Sequence, residues 1–327
     1  MSRIVVDIYG ADAGPTPILE GVARAIKTGT ACNPILVGQE CLITTFMDDC
    51  CIDKSMYEIM DTDQFIAPCD PPNCIFGGRD DSSMAMAYGR LKGDSDCCAM
   101  LSAGNTGALL VGAMCRLGLV PKLKFPALLS ALPCAGEKLI CLVDCGANMD
   151  CKASDLVRFA VMGDVFCRSY CGTAQPKVGL MNVGTEPGKG NALAREVYDR
   201  LCQTDLNFVG NLEGSDMVTG KADVIVCDGF CGNVLLKNTE AAGKAALTIV
   251  EKVGAGMDPA ILEAVRMAVL KAFDFNAQGA AVFLGTQKTV VKMHGCATAD
   301  TTVSSIEQIL KLEQAGFSQE ICRVMAQ

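Results

Sequence analysis

Short apolar runs recur along the whole chain, and each is followed by a polar, glycine-bearing loop and then by a segment of helical periodicity. Residues 4–8 (IVVDI), 34–37, 97–101, 139–144, 178–182, 224–227 and 289–292 are such runs. Helical patterns follow at 18–28, 82–91, 107–117, 154–171, up to 201, 232–250 and 304–314. A strand that reads apolar at consecutive positions is buried on both faces, and strand–helix–strand repetition makes neighbouring strands parallel. The pattern therefore predicts an α/β fold, a doubly wound and mainly parallel sheet, as one domain over 1–327. A peripheral helical extension is expected at about 240–280, where the apolar residues of 260–273 wrap most of the way round the helix.

Composition narrows the function. Of 327 residues, 20 are Cys and one is His, and the net charge is −9. No CxxC occurs, so the knuckles of structural zinc sites and of iron–sulfur runs are missing. The close pairs are Cys50–Cys51 and Cys97–Cys98, with three Cx3C spacings at Cys141–Cys145, Cys167–Cys171 and Cys227–Cys231. So many thiols fit a reducing cytoplasm and, one by one, small buried hydrophobes. The acidic balance and the absence of Trp argue against nucleic acid as partner. No signal peptide is expected, since the N-terminus runs straight into the first strand. Residues 97–115 carry no charge, but Ser102, Gly104, Asn105, Thr106 and Gly107 at their centre suit a strand, a turn and a buried helix better than a membrane span.

Open parallel sheets bind ligands beyond the carboxyl ends of their strands. The loops there are DIYGAD at 7–12, SAGNTG at 102–107, DCGAN at 144–148, NVGTEPGKGN at 182–191 and DGFCGN at 228–233, with His294-Gly295 after the last strand. Glycine lets backbone amides approach a ligand, and a following helix N-terminus favours negative charge. These loops suit an oxyanion such as phosphate. The candidate ligands are Asp7, Gly10, Ser102, Gly104, Thr106, Gly107, Asp144, Asn148, Gly188, Gly190, Asn191, Asp228, Gly229, Asn233 and Lys237, with Asn105, Lys189 and His294 as candidate catalytic groups. Arg79 is a further nearby cation. No GxxxxGK[ST], no GxGxxG after the first strand and no GxSxG occurs, which disfavours P-loop kinases, dinucleotide binding and α/β-hydrolase chemistry.

In this order the loops resemble those of the acyl-ACP:phosphate acyltransferases, the PlsX family of phospholipid synthesis. The matching segments are 7–15 (DIYGADAGP), 81–84 (DSSM), 102–109 (SAGNTGAL), 144–152 (DCGANMDCK), 178–191 (VGLMNVGTEPGKGN), 207–214 (NFVGNLEG), 222–237 (ADVIVCDGFCGNVLLK) and 292–295 (KMHG). The resemblance implies an isocitrate/isopropylmalate dehydrogenase-like fold in a homodimer, and transfer of a fatty acyl group from acyl carrier protein to inorganic phosphate at the cytoplasmic membrane face. The sequence departs from the family pattern at Ala11, at Asp80 and Asp81 after Arg79, at Phe125 and at Cys296. Those departures bear on carrier-protein contact and acyl specificity. Lys122, Lys124 and Lys138 are candidates for a basic face toward the acidic carrier, and the 260–273 helix for contact with membrane, acyl chain or a second copy.

Phosphate is already a nucleophile at neutral pH and a thiolate leaves readily, so such a reaction needs positioning and oxyanion stabilisation more than acid–base help. Ser102, Asn105, Thr106 and Lys189 are then expected to hold phosphate. Asn148, Asn191 and Asn233 would orient it or donate to the oxyanion, and His294 would act as acid or donor. Asp7 and Asp228 are expected to fix loop amides; Mg2+ is the alternative occupant, and no cofactor is otherwise implied. A phosphotransacylase acting on short acyl thioesters is the alternative activity. A covalent route through Cys145, Cys231 or Cys296 is the alternative mechanism.

Overall fold

A computed structural model of the chain describes residues 3–31, 33–134, 138–273 and 279–326. Where the sequence suggested one domain, the chain divides into two compact units, Met1–Pro126 with Gly279–Gln327, and Ala127–Gln278. The first unit begins with β1 (Arg3–Asp7), α1 (Thr16–Lys27), β2 (Ile35–Gly38), α2 (Glu40–Asp49), β3 (Glu58–Asp61), α3 (Ser83–Gly93), β4 (Cys97–Ser102) and α4 (Thr106–Gly112). The second holds β5 (Ala127–Pro133), β6 (Leu139–Val143), α5 (Ala153–Phe166), β7 (Val178–Met181), α6 (Ala192–Leu201), β8 (Phe208–Leu212), α7 (Asp216–Thr219), β9 (Val224–Val226), α8 (Gly229–Val253) and α9 (Pro259–Phe273). The chain then returns to the first unit for β10 (Ala281–Leu284), β11 (Thr289–Lys292), α10 (Ala299–Gln314) and α11 (Phe317–Ala326).

In the first unit the strand order is β3-β2-β1-β4-β11-β10. All neighbours are parallel except β10 and β11, which form an antiparallel pair. Every residue of β4 is buried, as a strand covered on both faces must be. Helix α3 lies against β1, β2 and β4, and α10 against β4 and β11. Gly21 of α1 sits against Thr302 of α10, where a side-chain carbon would stand 2.4 Å from the threonine Cβ. Ser82 caps α3 through its hydroxyl.

The second unit has the order β5-β6-β9-β7-β8, parallel apart from the β5–β6 pair. Phe159 and Phe166 of α5 are buried over its sheet. After Phe166 the helix widens into a π-helical turn, Cys167–Cys171. The helical extension expected at about 240–280 coincides with the long α8 and with α9, none of whose side chains is buried; residues 274–278 lie outside the described residues. The uncharged stretch 97–115 is β4, a turn and α4 continuing into a π-helical turn. Among the described residues no helix is long and apolar enough to cross a membrane.

Candidate functional site

Register builds the first unit's carboxyl edge. Asp7 pairs with Ser102 across β1 and β4, and Ser102 with Lys292 across β4 and β11, so these three residues stand in one row. The Ser102 hydroxyl donates to Asp7 Oδ2 at 2.7 Å, the Tyr9 amide donates to Asp7 Oδ1 at 3.2 Å, and the Gly104 amide donates to Ser102 Oγ at 3.0 Å. Burial pushes the Asp7 carboxyl up, opposed by these hydrogen bonds and by Lys292. Gly10 holds φ +97°, and a Cβ there would lie 2.3 Å from Gly104 Cα. Only glycine lets the 7–12 loop close onto the 102–107 loop.

Lys292 is the ammonium of this row, and the sequence reading missed it as a site residue. Its ammonium donates to the carbonyls of Ala103, at 3.0 Å, and Met293. Three N–H bonds are available, so one remains for a ligand. Burial lowers its pKa to about 8, opposed by the carboxylates of Asp12 and Asp7. The only sequence signal was its place in the KMHG segment, where it reads as the last residue of a strand.

Asn105 was expected to hold phosphate, and its amide is engaged elsewhere. Its Oδ1 accepts from the Ala108 amide at 3.0 Å, capping α4, and its Nδ2 donates to the carbonyls of Ala67, Pro68 and Asp70 at 3.0–3.4 Å. Asn105→Ala is therefore expected to cost about 1–2 kcal/mol through the lost cap and the loosened 67–70 loop, read as a lower urea midpoint. Thr106 and Gly107 form the half-buried first turn of α4, with Gly107 against Pro72. His294 is exposed; its Nδ1 lies 3.1 Å from Cys296 Sγ and accepts from the Cys296 amide at 3.3 Å. The ring thus closes a tight turn on the one histidine of the chain.

The second unit's edge is organised by Asp144. Its Oδ1 accepts from the amides of Leu128, Gly146 and Ala147, and its Oδ2 from the amide and the side chain of Asn148, all at 2.7–3.1 Å. Burial raises its pKa, and these five donors work against that. The Asn148 carbonyl in turn accepts from the Gly229 amide at 2.7 Å, joining the 144–148 loop to the start of α8. Asp228 caps α8 by accepting from the Cys231 amide at 2.7 Å, and Asn191 caps α6 by accepting from the Ala194 amide at 2.8 Å. Asn182, which the sequence reading left out of the site, holds the Lys189 carbonyl at 3.2 Å and crowds Gly190. Asn233 packs beside Gly146, while Gly188, Lys189 and Lys237 are exposed.

Between these capped helices lies a cavity of ≈510 Å³, within the range of small-molecule sites. Asn182, Gly190, Asn191, Asp228 and Cys231 form its polar lining, and Leu156, Leu180, Leu193, Val197 and Leu235 its apolar walls. Such a cavity suits a ligand with a polar head and an apolar body. Of the three cysteines weighed for covalent chemistry, Cys145 is buried and pushed up to about 12 by desolvation. Cys296 is the exposed thiol beside His294. Cys231 lines the cavity, and hydrogen bonding to Cys227 lowers its pKa.

Comparison with known proteins bears on the family and the fold. The profile of the family described as "Fatty acid synthesis protein" matches residues 2–320. A phosphate acyltransferase of Clostridioides difficile is 34% identical over 98% of this chain and 95% of its own. Among solved structures, a phosphotransacetylase from Streptococcus pyogenes superposes with a TM-score of 0.62 at 16% identity, covering 95% of this chain and 94% of that one. A putative 4-hydroxythreonine-4-phosphate dehydrogenase from Salmonella typhimurium does so with a TM-score of 0.54 at 10% identity, covering 97% and 100%. These two share the fold, an α/β architecture of the dehydrogenase-like type around a mostly parallel sheet. With residues 2–320 matched and its loops in family order, the chain belongs to the fatty acid synthesis protein family, the PlsX family of phosphate acyltransferases.

Proposed function

We propose that this protein transfers a fatty acyl group from the thioester of acyl carrier protein to inorganic phosphate, giving acyl phosphate for phospholipid synthesis. The observation that carries this reading is the cavity of the second unit, whose capped helix N-termini offer amides to an oxyanion and whose leucine-rich walls suit an alkyl chain. Oxygen of phosphate attacks the thioester carbon, the oxyanion forms, and its collapse expels the carrier thiolate. In the second unit, Asn191 and the first turn of α8 offer donors at the cavity, with Asp144, Asn148 and Asp228 holding the loops that carry them. In the first unit, Lys292 and the Thr106 turn offer donors to an anion such as phosphate, while Ser102, buried with its hydroxyl on Asp7, holds its loop and not a ligand. No step calls for a metal or an organic cofactor.

Incubation with palmitoyl-carrier protein tests the reading. A hydroxamate-trappable product is expected with phosphate and none without it; absence of product in both sinks the assignment. The same assay with acetyl-coenzyme A separates the short-chain phosphotransacylase reading. A second reading has one observation in its favour, the lowered pKa of Cys231 inside the cavity. It requires a thioester-linked enzyme that accumulates when phosphate is withheld, and direct attack requires none.

The exposed apolar side chains Val234, Ile249 and Val253 of α8 and Ile261, Val265 and Met267 of α9 support a homodimer and peripheral contact with a membrane surface. Lys122, Lys124 and Lys138 remain the proposed basic contacts for the acidic carrier; Lys122 Nζ also donates to the Ala326 carbonyl at 2.7 Å. None of the described cysteines is assigned to a disulfide, in keeping with a reducing, cytoplasmic setting.

A further inference from the structure

Two of the cysteine spacings noted in the sequence meet in the fold. Cys167 and Cys171 bracket the π-helical turn that ends α5, and Cys141 is the central residue of β6. Asp144 and its 144–148 loop follow the carboxyl end of that strand. The three sulfurs lie within 4.8 Å of one another, with Cys141 Sγ and Cys171 Sγ 4.0 Å apart. A zinc–sulfur bond of about 2.3 Å places ligating sulfurs roughly 3.8–4.0 Å apart, so closing this cluster onto an ion needs shifts of less than ~1 Å. Cys141 and Cys167 are buried and Cys171 is half-buried, which leaves one approach from solvent.

We infer that Cys141, Cys167 and Cys171 form a binding site for a thiophilic divalent ion of the zinc type, separate from the acyl-transfer site. Thiolate sulfur selects zinc over magnesium or calcium. Binding exchanges three S–H protons for one Zn2+, giving a tris-thiolate of net charge −1 and releasing three protons; the fourth position of the tetrahedron goes to water. Thr173 supplies a hydrogen bond to Cys167, the kind of outer-shell support that fixes a metal ligand. Arg168 on the same turn is paired with Asp164 at 2.9 Å. Ligation needs thiolates, so affinity falls as pH drops. Sequence reading dismissed zinc because no CxxC was present; the site takes its ligands from a strand and a helical turn 26 to 30 residues away, a spacing that no local motif reveals.

The test uses the full chain, reduced and metal-free under argon, titrated with Zn2+ against a chromophoric chelator and separately with Cd2+ while thiolate-to-cadmium absorption is followed. One tight equivalent is expected, with three protons released per ion. Cys171→Ser at the half-buried ligand should weaken it by more than the roughly 10–100-fold that outer-shell changes cost. Cys202→Ser, an exposed cysteine outside the cluster, should leave it intact. Circular dichroism in chelator confirms that Cys171→Ser is folded, and a zinc-dependent rise in melting temperature should be present in the wild type and absent in that variant. A wild type that binds no tight equivalent, or a Cys171→Ser protein that binds it undiminished, overturns the proposal.

Discussion

Replacing Lys292 by Met is expected to lower kcat by about a hundredfold to a thousandfold while the protein stays folded. That is the typical loss on removing one preorganised donor from an oxyanion site, roughly 3–4 kcal/mol of transition-state stabilisation. Lys292 is the ammonium in the register row with Asp7 and Ser102, held by two backbone carbonyls. Its charge is present below about pH 8, so kcat/KM of the wild type should fall as pH rises through 8, and the residual activity of Lys292→Met should lack that limb. Stability moves the other way. The unfolded chain keeps the lysine proton up to about 10.5 while the folded chain gives it up near 8, so the unfolded state binds more protons between those values. Raising pH through that window relieves the burial cost of the charge, an effect on the order of 3 kcal/mol. Urea midpoints of wild type and Lys292→Met, compared at pH 7 and pH 10, should therefore shift in favour of the wild type at the higher pH. A pH-independent difference, together with unchanged kcat, would remove Lys292 from the site.

Gly232→Ala should cost at least ~3 kcal/mol and abolish activity. A Cβ at Gly232 would stand 1.9 Å from the Asp144 carbonyl oxygen and 2.9 Å from its carbon. Both are backbone atoms of the residue that organises the 144–148 loop, so neither can swing away. Ordinary overpacking costs about 1–3 kcal/mol because side chains can adjust; here α8 must move off the sheet edge. Gly188→Ala is the matched control. Nothing lies within 4 Å of a Cβ there, and wild-type stability is expected. Thermal unfolding of the two variants separates them, and a Gly232→Ala protein as stable as Gly188→Ala would show that the 144–148 loop yields.

Those two glycines illustrate what was legible. In sequence both sit in glycine-rich loops after strands, and Gly188 was a candidate ligand while Gly232 was not. Local pattern marks a loop but not which amide or Cα another loop will touch. Asn105 shows the same limit, since a polar residue between Gly104 and Thr106 reads as a ligand until the carbonyls of Ala67, Pro68 and Asp70 arrive to occupy it. Strand β5 was missed because ALLSALP carries a Ser and a terminal Pro and pairs antiparallel with β6, so no helical crossover announces it. Helix α2 buries only Ile43 and Met47 and β3 no residue at all, so neither carries a strong apolar pattern; β10 was missed as well, and α11 because Gly316 separates it from α10 by a brief turn.

The sequence by itself determined the parallel strand–loop–helix order, the carboxyl-edge loops and the family, because each is written in contiguous residues: apolar runs, glycine turns and capping side chains. Tertiary structure alone decided which groups are charged, buried or joined. Asp7 meets Ser102 across 95 residues of chain, and Lys292 meets the Ala103 carbonyl across 189. Sheet register sets those contacts, and burial in the assembled core moves the pKa of Lys292 down and that of Asp7 up. Neither register nor burial belongs to any single segment, so the lysine of the site and the three-cysteine cluster emerge only when the strands are laid side by side.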